Sequence, residues 1–172
     1  MELQENIVNK VVQSGLLSFD LAELYPQGER VLYDIKDSLF HGLMLREKDF
    51  RDFVKQHPWE NYLDKHIAIT CSADAIVPTW AYMLLANKLS SANAKTIVFG
   101  DMETLETLLF ENELAKTDLE KYRDQRVVIK GCGEIPVPVS AYVSLTVKLT
   151  PIAKSIMYGE PCSTVPIYKR KT

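Results

Sequence analysis

His66-Ile67-Ala68-Ile69-Thr70-Cys71 is a short apolar run that ends on a thiol. Bounded by turn signals and too short for a stable helix, it reads as a β-strand over 66–70. A loop follows. Pro78 then opens a helix to about Leu89, because proline's missing N–H has no partner to lose in a first helical turn. Thr96-Ile97-Val98-Phe99 is the next strand. The Gly100-Asp101 turn leads into a helix from Met102 to about Leu114, with the Asp101 carboxylate placed to accept backbone N–H bonds as N-cap. Arg126-Val127-Val128-Ile129-Lys130 gives a third strand. Strand alternating with helix is the signature of crossover connections and a parallel sheet.

Outward from this segment the pattern is less regular. Ile7, Val8, Val11 and Val12 follow helical spacing, and Leu16–Leu21 reads as a strand or the start of a loop. Val31–Ile35 alternates as a strand does, and Glu47–His57 is helical, with Phe50, Phe53 and Val54 on one face. Towards the carboxyl end, Tyr142, Leu145, Leu149, Ile152 and Ile156 mark a helical face that ends at Gly159, kinked or split by Pro151. Val165-Pro166-Ile167-Tyr168 is expected as a short edge strand. No internal repeat or linker stands out. The expected fold is a single α/β domain over 1–172: a mostly parallel sheet flanked by helices, with an irregular amino-terminal α+β extension. In that sheet Cys71, the Gly100-Asp101 turn and Cys132 are expected to share the carboxyl edge, where ligands bind in such folds.

Composition narrows the function. The 172 residues are 47% hydrophobic and 25% charged, with a net charge of −3, which gives no general attraction for nucleic acid. Lys169-Arg170-Lys171 reads as a solvated tail. No apolar run approaches the ~20 residues of a membrane span, and Met1–Asn6 lacks the features of a signal peptide. A cytoplasmic location is expected, where thiols stay reduced and widely spaced cysteines serve metal binding, reactivity or packing. There is no P-loop and no dinucleotide fingerprint.

Three cysteines, Cys71, Cys132 and Cys162, each lie where a regular element gives way to a loop. Three thiolates suit iron or zinc with an open coordination position, and Glu160 is the expected further ligand, with Asp74, Asp34 or His41 as alternatives. A second reading is a single reactive thiol, Cys71 or Cys132, carrying a persulfide or another covalent intermediate. A third is a non-catalytic interaction module with inert, buried cysteines. His66 is expected to begin a strand and His57 to end a helix, while Trp80, Tyr82 and Met83 are expected to pack a core helix.

The runs Cys71–Met83, Val128–Cys132 and Ser155–Lys169, with Asp34–Asp37 and Lys48–Arg51, resemble an uncharacterised bacterial family, the domain of unknown function 2480. The resemblance covers nearly the whole chain and includes all three cysteines. It implies a place near iron–sulfur cluster assembly, because the family's members look to be encoded beside the sulfur-mobilisation genes. Assembly proteins are therefore the implied partners. It carries over no catalytic residues.

Overall fold

A computed structural model describes residues 15–131, 133–160 and 163–171. The proposed helical face at Ile7–Val12 lies outside them, as do Cys132 and Cys162. The fold is mixed α/β with mostly parallel strands, as the alternation predicts. The strands do not form one sheet, however. β1 (Leu16–Asp20), β5 (Arg126–Lys130), β6 (Ser155–Glu160) and β7 (Ser163–Lys169) make a sheet in the order β1-β5-β6-β7. β2 (Arg30–Asp34), β3 (His66–Thr70) and β4 (Thr96–Phe99) make a second, in the order β2-β3-β4. Among the strand pairs of the described residues, β6–β7 alone is antiparallel. The helices are α1 (Glu47–Gln56), α2 (Thr79–Ser91), α3 (Met102–Lys116) and α4 (Val139–Leu149).

The chain divides into a contiguous unit, Gln27–Leu108, and a split unit made of Met1–Pro26 with Leu109–Thr172. The two carry the same structure twice. In each, a strand ends on an aspartate whose side chain accepts the N–H two residues on: Asp20 from Ala22 at 2.9 Å, Asp34 from Lys36 at 3.1 Å. Each aspartate starts a 3-10 turn, Leu21–Leu24 or Ile35–Ser38. A second 3-10 turn precedes each central strand, Trp59–Tyr62 before β3 and Glu120–Tyr122 before β5. Asp64 and Asp124 then take matching positive φ values of 57° and 58°. The Asp64 N–H donates to Asn93 at 3.0 Å, and the Asp124 N–H to Ile152 at 2.9 Å. The helix after the central strand buries Ala81, Leu85 and Leu89 in one unit and Ala141, Leu145 and Leu149 in the other. Pro78 and Pro138 stand just before those helices and accept the N–H of Ala81 and Ala141, both at 3.0 Å.

The repeat is written in the sequence after all, against the expectation that none stands out: Glu60, Tyr62, Asp64, Pro78, Ala81, Tyr82, Leu85 and Leu89 recur, each 60 residues on, as Glu120, Tyr122, Asp124, Pro138, Ala141, Tyr142, Leu145 and Leu149, scattered among positions that differ. Two expectations fall with it. Residues 155–160 are strand rather than helix: α4 ends at Leu149, the segment around Pro151 turns, and Ile156 is a core residue of β6. Met83 is exposed, since it lies on the face of α2 opposite Ala81 and Leu85, whereas Trp80 and Tyr82 do pack against the core.

Each unit has its own apolar core. Phe19, Leu21, Phe110, Leu114 and Ile156 lie with the α4 residues in the split unit. Tyr33, Ile35, Phe50, Val54 and Ile69 lie with the α2 residues in the contiguous one. Strand order within each sheet never reverses, so successive crossovers stay on one face and no switch-point crevice opens at the carboxyl edge. None of the helices among the described residues is long and apolar enough to cross a membrane.

Candidate functional site

The carboxyl ends of β2 and β3 carry the densest polar arrangement in the contiguous unit. Asp34 ends β2 and pairs in register with Thr70 of β3, which brings it to the loop that starts at Cys71. Its carboxylate accepts the Ser72 hydroxyl at 2.5 Å and the Ser72 N–H at 3.1 Å, besides the Lys36 N–H, and the Lys36 ammonium lies 3.2 Å away. Burial would raise the pKa of this group. The bonds from Ser72 and Lys36 outweigh that and hold it down at about 2. Asp34 is therefore an ionised anchor that ties β2 to the loop after β3.

Cys71 is half-buried, and its thiol donates to the Ala73 carbonyl at 3.5 Å. The Tyr82 hydroxyl belongs to the same neighbourhood: its pKa is raised by burial first, then by the proximity of Cys71 and Asp34. The Gly100-Asp101 turn shares this edge, with the Gly100 N–H donating to Ile69 at 3.0 Å. Cys132, outside the described residues, follows β5, a strand of the other sheet.

On the α1 flank of β2 a cavity of about 320 Å³ is lined by Tyr33, Asp34, Asp37, Phe53, His57 and Tyr62, among others. His57, at the end of α1 as expected, lies with its Nε2 3.1 Å from the Tyr62 hydroxyl, and the two rings stack at 5.7 Å. Burial lowers the His57 pKa against the opposing pull of Glu60 and keeps the ring neutral. Tyr33 is pushed up by burial, then by Tyr62 and Asp37. The split unit has Phe19 in place of Tyr33, paired at 5.5 Å with a buried Tyr122 in place of Tyr62, and Thr117 in place of His57. A packed corner of one unit is thus a polar cavity in the other.

In the split unit, β5 and β6 run side by side, and Lys130 and Glu160 at their ends form a 3.1 Å ion pair. Cys132 and Cys162 each follow one of these two residues by two positions. Gly131 answers Cys71, and a Cβ on it would overlap the Tyr142 hydroxyl. The tyrosine of this unit therefore occupies the space that the Cys71 side chain takes in the other. Asp74 is exposed. So is His41, which has a φ of 51° and its ring 4.0 Å from that of Phe40. Among the described residues, no three His, Cys, Asp or Glu side chains are grouped to hold a metal ion.

The family described as "Protein of unknown function (DUF2480)" matches residues 5–170. The chain belongs to this family. The DUF2480 match spans both units, so the repeat is internal to what the family defines as one length of sequence. Neither a curated protein nor a solved structure matches the chain.

Sequence reasoning found Asp34 and Cys71 but treated Tyr82 only as packing and missed the His57–Tyr62 pair. The available signal was the aromatic density of Phe53, His57, Trp59 and Tyr62.

Proposed function

We propose that this chain is an accessory protein of iron–sulfur cluster assembly that holds iron or zinc through cysteine thiolates, with Cys132 and Cys162 as the ligand pair. The Lys130–Glu160 ion pair carries this reading. It ties together the ends of adjacent strands, and each strand reaches its cysteine two residues later. Thiolates prefer soft and borderline metals, and a site with an open position permits exchange with a partner. Glu160 pairs with Lys130 through one carboxylate oxygen, and its other oxygen is the one that would join such a site. Cys71, the third cysteine of the expected site, ends β3 and is not a member of this pair.

The test is elemental analysis of protein purified without strong chelators. About one equivalent of metal is expected, as for one site per chain. It should be lost in Cys132→Ser and in Cys162→Ser and kept in Cys71→Ser. Undiminished metal in the Cys132→Ser/Cys162→Ser double variant removes the reading.

A second reading rests on Cys71 beside Tyr82 and Asp34. Here the Cys71 thiolate attacks the outer sulfur of a donor persulfide. A new S–S bond forms on Cys71, the donor's S–S bond breaks, and the donor leaves as a thiolate. The Tyr82 hydroxyl would donate a hydrogen bond to the attacking sulfur. Iodoacetamide should then label Cys71 fastest of the three thiols in metal-free protein, and Tyr82→Phe should slow it. Equal, slow labelling of all three counts against it.

A further inference from the structure

The amino ends of β1, β5 and β6 and the carboxyl end of the antiparallel β7 frame a cleft of about 430 Å³. Leu16, Arg126, Ser155 and Lys169 pair in register across β1, β5, β6 and β7, forming one row across the sheet. Lys154 and Arg170 complete the rim. Four cations thus line the cleft, and no carboxylate does, in a chain whose net charge is −3. Arg170 is held by Asp124 and by a 2.8 Å bond to the Ile152 carbonyl, so the end of the chain is fastened rather than solvated as its composition suggests. Arg126, Lys154 and Lys169 have no ion-pair partner among the described residues. Like charges gathered in a concavity repel one another and focus a positive potential there, and a bound anion relieves the repulsion.

The scaffold does not impose this arrangement. The contiguous unit has Arg30, His66 and Thr96 in the matching row, and there the polar side chains are answered. Arg30 donates to Glu106 at 2.8 Å and to the Gly28 carbonyl at 2.6 Å. His66 is buried between the Thr96 hydroxyl at 2.9 Å and the Gln27 carbonyl at 3.2 Å.

We propose that the cleft of the split unit binds a small organic phosphate, its phosphoryl group held by Arg126, Lys154 and Lys169 and its apolar body against Leu16 and Met157. The volume is that of a small-molecule site. Arginine beside lysines suits a phosphoryl group, whose oxygens accept the planar guanidinium fork in pairs. Leu16 and Met157, with Pro166 paired to Met157, give the floor an apolar surface that a bare inorganic anion does not use.

Calorimetric titration of the full chain with phenyl phosphate and with inorganic phosphate tests this. Phenyl phosphate is expected to bind with a Kd below about 1 mM, at least about fivefold tighter than inorganic phosphate. Arg126→Ala/Lys154→Ala, which alters two exposed side chains, should weaken it by about tenfold or more. Lys55→Ala/Lys116→Ala, which removes two exposed cations elsewhere, should leave it within about twofold. No saturable binding to the wild-type chain, equal loss in both double variants, or no preference for the phenyl ester would each overturn the proposal.

Discussion

The contiguous and split units keep one scaffold and open it at opposite ends. In the contiguous unit the amino end of the sheet is closed by Arg30, His66 and the Gln27–Glu29 segment, and a polar cavity forms beside α1. In the split unit the α1-like corner is packed with Phe19 and Tyr122, and the amino end is a cationic cleft. What the two share is what holds the backbone: the aspartate caps, the positive-φ turns at Asp64 and Asp124, and the Ala-Leu-Leu helix stripes. What differs are side chains that the scaffold bonds leave free. Divergence at such positions is the expected mark of function, because packing does not dictate them.

The equivalence is tested most severely in the cores. Leu85 and Leu145 are fully buried at matching positions. Each Leu→Ala change should cost about 2–5 kcal/mol, and chemical denaturation should give costs that agree within about 1.5 kcal/mol. A wide gap would break the comparison.

Gly131→Ala comes next. The added Cβ overlaps the Tyr142 hydroxyl, so about 1–3 kcal/mol of stability should be lost. Part of it should return in a Tyr142→Phe background. An equal cost in both backgrounds would show that Tyr142 does not fill the thiol's place.

The two capping aspartates separate the units further. Asp34→Asn removes a carboxylate with four partners and should cost about 1–3 kcal/mol, whereas Asp20→Asn, with one capping bond, should cost about 1 kcal/mol or less. The Asp34 pKa is depressed on folding. Its contribution is therefore complete above the unfolded value near pH 4 and vanishes as pH falls towards 2. Acid melts of the wild type and Asp34→Asn should converge over that range.

The smallest effect belongs to His66. Burial lowers its pKa, outweighing the Gln27 carbonyl, so the unfolded chain takes up the proton first. Stability should decline as pH drops below about 6.5, by no more than about 1.4 kcal/mol at pH 5.5, and His66→Gln should flatten that slope. Arg126→Gln, at the matching position of the split unit, should leave the slope unchanged. Melting curves at pH 7.5 and 5.5 read both.

Much of the scaffold was legible in the sequence. β3, β4 and β5 lie where apolar runs bounded by turns put them, and α1 and α3 follow their apolar spacing and caps. The division into two sheets was not legible, because strand partners are chosen by contacts between residues as far apart as Leu16 and Arg126. The helical reading of 152–156 failed for a local reason. Ile152 and Ile156 keep a helical interval by coincidence, one in a turn and one in a strand. At the sites, Asp34 and Cys71 were visible as chemistry at a strand end. The cationic row was not, since Arg126, Lys154 and Lys169 become neighbours only through pairing across the sheet.

Nesting one unit inside the other gives the ribosome an order of work. All of the β2-β3-β4 sheet is available once residue 108 has emerged, whereas β1, made early, has its partner β5 only after residue 126. Until then β1 is a strand with an unpaired edge, and closing that long loop is the slow, entropically costly step of assembly. The nascent chain thus completes its interior repeat first and depends on its last third to rescue its first strand.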